Sequence, residues 1–280
     1  MPSTKQKKAP SRSPGKERKD IPVVILCGGK GTRLKEETEL LPKPLVRIGD
    51  NPILWHIMKI YSSYGFTHFI LPVGYKGEKI KEYFINRNTL SADFTVDYTH
   101  PKGTLTRHCV PHEPWKITII DTGLETQTGA RIKKIEPYIK GDTFLLTYGD
   151  GVADVDLASL LSFHHTHGHT VTVTGVHPPA RFGEIIMNGI MAESFNEKPY
   201  MQSTYINGGF FALHKKVFSY LTADTEFNFE KHALPNIAKD GELDVFCHEG
   251  YWQCMDTRRD MEILQEEWDT GKAPWKIWTE

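Results

Sequence analysis

Three glycines within four positions, Gly28, Gly29 and Gly31, follow directly on the apolar run Val23-Val24-Ile25-Leu26-Cys27. A run without polar alternation reads as a parallel strand buried on both faces. Glycines at its carboxyl end let the backbone turn tightly and present bare N–H groups, a ready cradle for an anion. Arg33 and Lys43 add two cations downstream, as a polyphosphate requires. The stretch from Val23 to Leu45 therefore reads as a nucleoside triphosphate site. Neither common phosphate loop accounts for it. The P-loop pattern G-x-x-x-x-G-K-[ST] is absent, and the dinucleotide pattern G-x-G-x-x-G fails because Leu34 stands where its last glycine would fall.

Two carboxylates suit a metal beside such a triphosphate. Asp150 lies between Gly149 and Gly151, just after the apolar run Phe144 to Thr147, and Asp256 closes Trp252-Gln253-Cys254-Met255. Mg²⁺ prefers oxygen and is commonly held by one or two carboxylates together with phosphates. Plainer roles stay open: Asp150 as a helix cap after a turn, and Asp256 as the N-cap of the last helix. Glu197-Lys198-Pro199 supplies a third cation, with a solvated loop lysine as the alternative. Gly208-Gly209 is either a bulge or a place where a sugar ring approaches the backbone. His164-His165-x-His167-x-His169 lacks metal-site spacing and is expected to be a solvated helix end that complements the dipole.

In order, Leu26 to Leu34, Pro42-Lys43-Pro44-Leu45, Gly149-Asp150-Gly151, Glu197-Lys198-Pro199, Asn207-Gly208-Gly209 and Asp256 resemble the motif set of the sugar-1-phosphate nucleotidyltransferases. Pro52 to Lys59, Gly74-Tyr75-Lys76-Gly77, Glu113-Pro114-Trp115, Asp121-Thr122-Gly123, Thr128-Gly129-x-Arg131, Trp252 to Asp260 and Gly271 to Lys276 narrow the resemblance to its cytidylyl branch. The resemblance runs from about residue 21 to the end. It implies that CTP and α-D-glucose 1-phosphate give CDP-glucose and pyrophosphate. By the same resemblance, Leu26, Gly28, Gly29, Gly31, Thr32 and Gly149 wrap the nucleotide, with Thr128 and Arg131 as contacts of the cytidylyl branch. Arg33 grips the β- and γ-phosphates, Lys43 meets the α-phosphate, and Asp150 and Asp256 hold Mg²⁺. Lys198 meets the sugar phosphate, beside Glu197, Asn207, Gly208 and Gly209. Arg33, Lys43 and Lys198 are thus the implied catalytic cations. The resemblance also implies a homo-oligomer, a hexamer, in the cytoplasm, with a product used in lipopolysaccharide or O-antigen biosynthesis. Rival readings are thymidylyl or uridylyl transfer on the same scaffold, and a catalytically silent subunit that binds sugar nucleotide. The sequence departs from the family at Cys27 (usually alanine), Leu45 (usually methionine) and Phe229 to Pro235 (usually Trp-Glu-x-x-Pro-Leu).

Charge alone explains why such groups suffice. A sugar phosphate is already an anion at neutral pH and needs no general base to attack the α-phosphorus. Two polyanions repel, however, so catalysis reduces to positioning and neutralisation.

These residues need a scaffold with strand ends at the site. Strand-like runs at Phe69 to Val73, Phe94 to Tyr98, Ile117 to Asp121, Phe144 to Thr147 and Thr170 to Val176 alternate with helical patterns. The latter lie at Pro52 to Tyr64, Gly77 to Phe84, Ala130 to Tyr138 and Asp156 to His165. This predicts an α/β fold, a Rossmann-like mostly parallel mixed sheet flanked by helices, with ligands at the carboxyl ends of the strands. Beyond Gly183, short strands at Glu184 to Met187, Met191 to Phe195, Ile206 to Ala212 and Leu243 to His248 are expected as antiparallel additions over the site. Met261 to Trp268 is read as a closing helix of this small C-terminal extension. Pro101 to Trp115 is an insertion for subunit contact or a structural loop.

The 280 residues suit one nucleotidyltransferase domain over 21–280. Residues 1–20 carry seven Lys/Arg against two Asp/Glu and few apolar side chains, so a disordered basic tail is expected. That tail lacks the apolar core of a secretory signal, and no run approaches the roughly 18 apolar residues of a membrane span. Four cysteines without C-x-x-C pairing favour reduced thiols over a zinc site or disulfide frame. No nucleic-acid module is evident.

Overall fold

Val23–Leu26 forms strand β1 in the computed structural model, and all four residues are buried. Their side chains alternate between two cores, Val23 and Ile25 on one face of a sheet, Val24 and Leu26 on the other. Both faces are covered, which is why the run carries no polar residue. The structure describes residues 18, 20–31, 34–100, 102–108, 113–178, 184–196 and 204–279. The expected basic tail lies outside them as far as residue 17.

After the glycine turn come a short helix α1 (Lys35–Thr38), a 3-10 turn over Lys43–Leu45, and strands β2 (Arg47–Ile48) and β3 (Asn51–Pro52). Pro52 caps helix α2 (Ile53–Ser63), and Gly65 follows it with φ 90°. Strand β4 (His68–Val73) leads to α3 (Gly77–Leu90). Strands β5 (Asp93–Asp97) and β6 (Thr104–His108) form a separate antiparallel arm before β7 (Lys116–Asp121). Next are α4 (Thr128–Lys134), β8 (Thr143–Tyr148), β9 (Gly151–Ala153), α5 (Leu157–His167) and β10 (Val171–Val176). A second arm, β11 (Glu184–Asn188) with β12 (Met191–Asn196), precedes β13 (Ile206–His214). A π-helix over Phe229–Ala233 runs into α6 (Leu234–Lys239), followed by β14 (Leu243–His248), β15 (Trp252–Cys254) and α7 (Arg258–Asp269).

Seven strands make the central sheet in the order β14-β10-β13-β8-β1-β4-β7, the mostly parallel mixed sheet expected. β8, β1, β4 and β7 run parallel, so Tyr148, Leu26, Val73 and Asp121 end on one edge. Ligands of α/β sheets sit at such an edge. β13 is antiparallel to β8, so its first residues reach the same edge.

Three expectations need correction. β13 is no addition over the site; it lies inside the sheet between β10 and β8, and β14 pairs in parallel with β10. Its stretch Gly208–Leu213 is buried, which requires cover on both faces. The insertion holds a strand, β6, that folds back on β5, while Trp115 packs edge-on against Phe69 with centroids 5.8 Å apart. His164 is not solvated. It is 2% exposed, with Nδ1 2.9 Å from Thr172 Oγ1.

Burial, helped by neighbouring His165 and His214, lowers the His164 pKa to about 4; burial does the same to His56. Both rings bind a proton more readily in the unfolded chain, whose histidines titrate near 6.5. Their contribution to stability is thus full above pH 6.5 and is lost as pH falls towards 4. Thermal melts across that window should show Tm falling by several degrees, with a flatter profile for His164→Asn.

Candidate active site

The glycine turn, the buried lysine and the two aspartates come from distant parts of the chain and meet at the sheet edge. Pro42 and Pro44 hold Lys43 in its 3-10 turn, pointing its side chain at the end of β8. Lys43 Nζ lies 2.6 Å from Asp150 Oδ2 and 2.6 Å from Asp256 Oδ1. The two carboxylate oxygens therefore stand no more than twice that distance apart. Burial works against the Lys43 ammonium, but the charges and hydrogen bonds of Asp150 and Asp256 outweigh it and raise its pKa. The lysine is a fixed cation.

A two-stranded sheet brings the aspartates together. β9 pairs with β15, Gly151 opposite Cys254, and Met255 N donates to Asp150 O at 2.8 Å. Asp150 is thereby held in the turn between β8 and β9, outside any helix. The N-cap of α7 is Thr257, in a capping box with Asp260, so Asp256 stays turned towards Lys43.

A cavity of about 310 Å³ opens beside this cluster. Its lining includes Leu26, Gly28, Gly29, Gly31, Lys43, Thr128, Arg131, Gly149, Asp150 and Asp256, all anticipated from the sequence. Thr32, Arg33, Glu197 and Lys198 lie outside the described residues. Asn207, Gly208 and Gly209 stand behind the Tyr148 wall: Asn207 Nδ2 donates to Tyr148 Oη at 3.0 Å, and Trp252 Nε1 donates to Gly208 O at 2.7 Å. Gly209 has φ 79°, and a Cβ there would come within 2.4 Å of the Tyr148 ring. Glycine is what lets that ring come so close to β13.

Arg131 is buried and works inward. Nη1 donates to Val73 O at 3.0 Å and Thr122 Oγ1 at 2.5 Å, and Nη2 to Gly28 O at 3.0 Å and Leu124 O at 3.2 Å. A Cβ on Gly28 would stand 2.2 Å from its Cζ, so the glycine admits the guanidinium against the turn. Arg131 therefore shapes the glycine turn from behind. Above the turn, Lys30 pairs with Glu125 at 2.7 Å.

Sequence reasoning passed over Thr126 and Gln127 in the lining, gave Pro44 and Tyr148 no role beyond their motifs, and noted Cys27 only as a departure from the family. It also passed over Glu230, whose Oε1 accepts from Tyr148 Oη and Oε2 from Thr128 Oγ1, both at 2.6 Å. Tyr148 directly precedes Gly149-Asp150, the available signal. Glu230 keeps the glutamate of the Trp-Glu-x-x-Pro-Leu pattern inside a segment that departs from it elsewhere, the signal that was available.

The edge gathers a glycine turn, a lysine and two carboxylates around one cavity, and the nucleotidyl transferase family pattern matches residues 22–267. The chain belongs to that family. Within it, the chain is similar to glucose-1-phosphate cytidylyltransferases. It is 46% identical over 257 residues to the Salmonella typhimurium protein of that name, covering 91% of this chain and 99% of the relative. To a Bacillus subtilis protein named "Probable glucose-1-phosphate cytidylyltransferase" it is 48% identical over 260 residues, with the same coverages. The crystal structure of HddC from Yersinia pseudotuberculosis superimposes with a TM-score of 0.65 at 25% identity, over 89% of this chain and 99% of that one. Among the described residues no helix is long and apolar enough to cross a membrane.

Proposed function

We propose that the protein transfers the cytidylyl group of CTP to α-D-glucose 1-phosphate, releasing pyrophosphate and giving CDP-glucose. The observation that carries this reading is the seat of Lys43 between Asp150 and Asp256, at the rim of the 310 Å³ cavity. High identity to glucose-1-phosphate cytidylyltransferases over nearly their whole length supports the choice of substrates.

The residues present fit a hard divalent cation. Asp150 and Asp256 already hold one positive charge, the Lys43 ammonium, between two carboxylates. They would hold Mg²⁺, which when bound neutralises the phosphates of both substrates. Lys43 brings its own charge to the α-phosphate, where negative charge spreads during transfer. Backbone N–H groups of the glycine turn, held by Arg131, orient the triphosphate. Arg33 and Lys198 are assigned the β/γ-phosphates and the sugar phosphate, and Asn207, Gly208 and Gly209 the sugar. No side chain need remove a proton, because the attacking phosphate oxygen is already ionised.

Incubation with Mg²⁺, glucose 1-phosphate and each nucleoside triphosphate in turn tests the reading. Pyrophosphate should appear fastest with CTP. Preference for UTP or dTTP would replace cytidylyl transfer by the rival transfer, and silence with every triphosphate would leave a binding subunit. A homo-oligomer is part of the same proposal, supported by apolar side chains exposed on the two arms, Tyr98 at 83% and Ile190 at 95%. A monomeric mass by light scattering would count against it.

A further inference from the structure

We propose that Glu230 is a positioning residue that couples the nucleotide wall of the cavity to its sugar wall, an inference that rests on the transferase reading above. It ties four elements into one directed chain. Gly209 N donates to Asn207 Oδ1 at 2.9 Å, which turns the Asn207 amide so that Nδ2 donates to Tyr148 Oη at 3.0 Å. Tyr148 Oη donates to Glu230 Oε1 at 2.6 Å. From the other side, Phe229 N donates to Thr128 Oγ1 at 3.0 Å, and Thr128 Oγ1 donates to Glu230 Oε2 at 2.6 Å. An ionised carboxylate only accepts, so both hydroxyl protons must point at Glu230. Both bonds are short and charge-assisted.

The two hydroxyl residues line the cavity, Thr128 on α4 and Tyr148 at the end of β8. Glu230 stands behind them, on a π-helical turn, a rare conformation often found near functional sites. The Tyr148 ring cannot slip away: it lies on Gly209 and meets Phe211 edge-on at 6.0 Å. Phe211 in turn packs on Phe229, the neighbour of Glu230, at 5.7 Å. A ligand that shifts Thr128 thus pulls on one Glu230 oxygen, and the other oxygen carries the shift to Tyr148 and Asn207. One carboxylate reports each substrate's presence to the other's wall.

The test is a double-mutant cycle. Tyr148→Phe and Thr128→Ala are made singly and together, in the wild-type protein and in Glu230→Gln, with kcat and KM measured for each substrate. Tyr148→Phe should raise KM for glucose 1-phosphate about tenfold and Thr128→Ala should raise KM for CTP about tenfold, the usual loss for a charge-assisted hydrogen bond. In the wild-type background the pair should depart from additivity by about threefold or more; in Glu230→Gln, which keeps one acceptor oxygen, it should be additive. Should Tyr148→Phe fail to fold, Asn207→Ala cuts the chain one bond earlier and takes its place. Additive effects in the wild-type protein overturn the proposal. So does coupling that survives Glu230→Gln, or a Glu230→Gln protein with lower Tm and unchanged KM values. If the parent protein releases no pyrophosphate with any triphosphate and sugar phosphate, the transferase reading fails and the proposal with it. Turnover with additive variants removes Glu230's role alone.

Discussion

Lys43→Ala should turn over 10²–10³ times more slowly than the parent protein at saturating CTP and glucose 1-phosphate, the usual loss when a positioned charge contact is removed. Lys43 is 12% exposed at its side chain and is the cation that the two aspartates already hold. Its charge counts most when the α-phosphate gains negative charge, so kcat should fall more than KM rises. Turnover within a few-fold of wild type would refute its role. A second effect needs no turnover to observe. Without the ammonium, two carboxylates face and repel each other across a short gap. Added Mg²⁺ should therefore raise the Tm of Lys43→Ala more than that of the parent. An equal rise in both would mean that Lys43 and the metal do not share the aspartates.

Arg131→Met is expected to unfold more readily than the parent, by about 3–5 kcal/mol, as when one member of a buried charged network is removed. The carbonyls of Gly28, Val73 and Leu124 and the hydroxyl of Thr122 would lose their donor together. For a chain of this size that corresponds to a Tm lower by roughly 10 °C. The folded fraction should also bind CTP more weakly, because Arg131 holds Gly28 in the turn proposed to orient the triphosphate. Arg131→Lys should not rescue it, since one ammonium cannot span the fork of acceptors that a guanidinium does. Gly28→Ala provides an independent check: its Cβ would displace the guanidinium and should produce the same pair of losses. Normal stability in both variants would show the network to be dispensable.

Much of this architecture was legible in the chain. Val23–Leu26 and the glycines after it announce a buried strand and a turn, because backbone conformation and two-sided burial leave a local imprint. Lys43, Asp150 and Asp256 were legible as types, yet nothing local indicates that they touch. That fact belongs to the pairing of β9 with β15, each only three residues long. β13 was misplaced because a strand's neighbours are chosen by the whole sheet, and its own residues only record that it is buried. Glu230 was legible only as the retained glutamate of a departing motif; its partners, two hydroxyls on other elements, were not. Arg131 carried a cation's signature, but only geometry shows its charge spent on carbonyls.

The β9–β15 pairing also fixes when competence can appear as the chain is made. Asp150 and Lys43 are in place early, but Asp256 is 213 positions beyond Lys43 and is held by a strand near the far terminus. A ribosome must add 213 residues after Lys43 before the acidic pair can form. Until then, an emerging chain can hold Lys43 and Asp150 but lacks the second carboxylate of the proposed site.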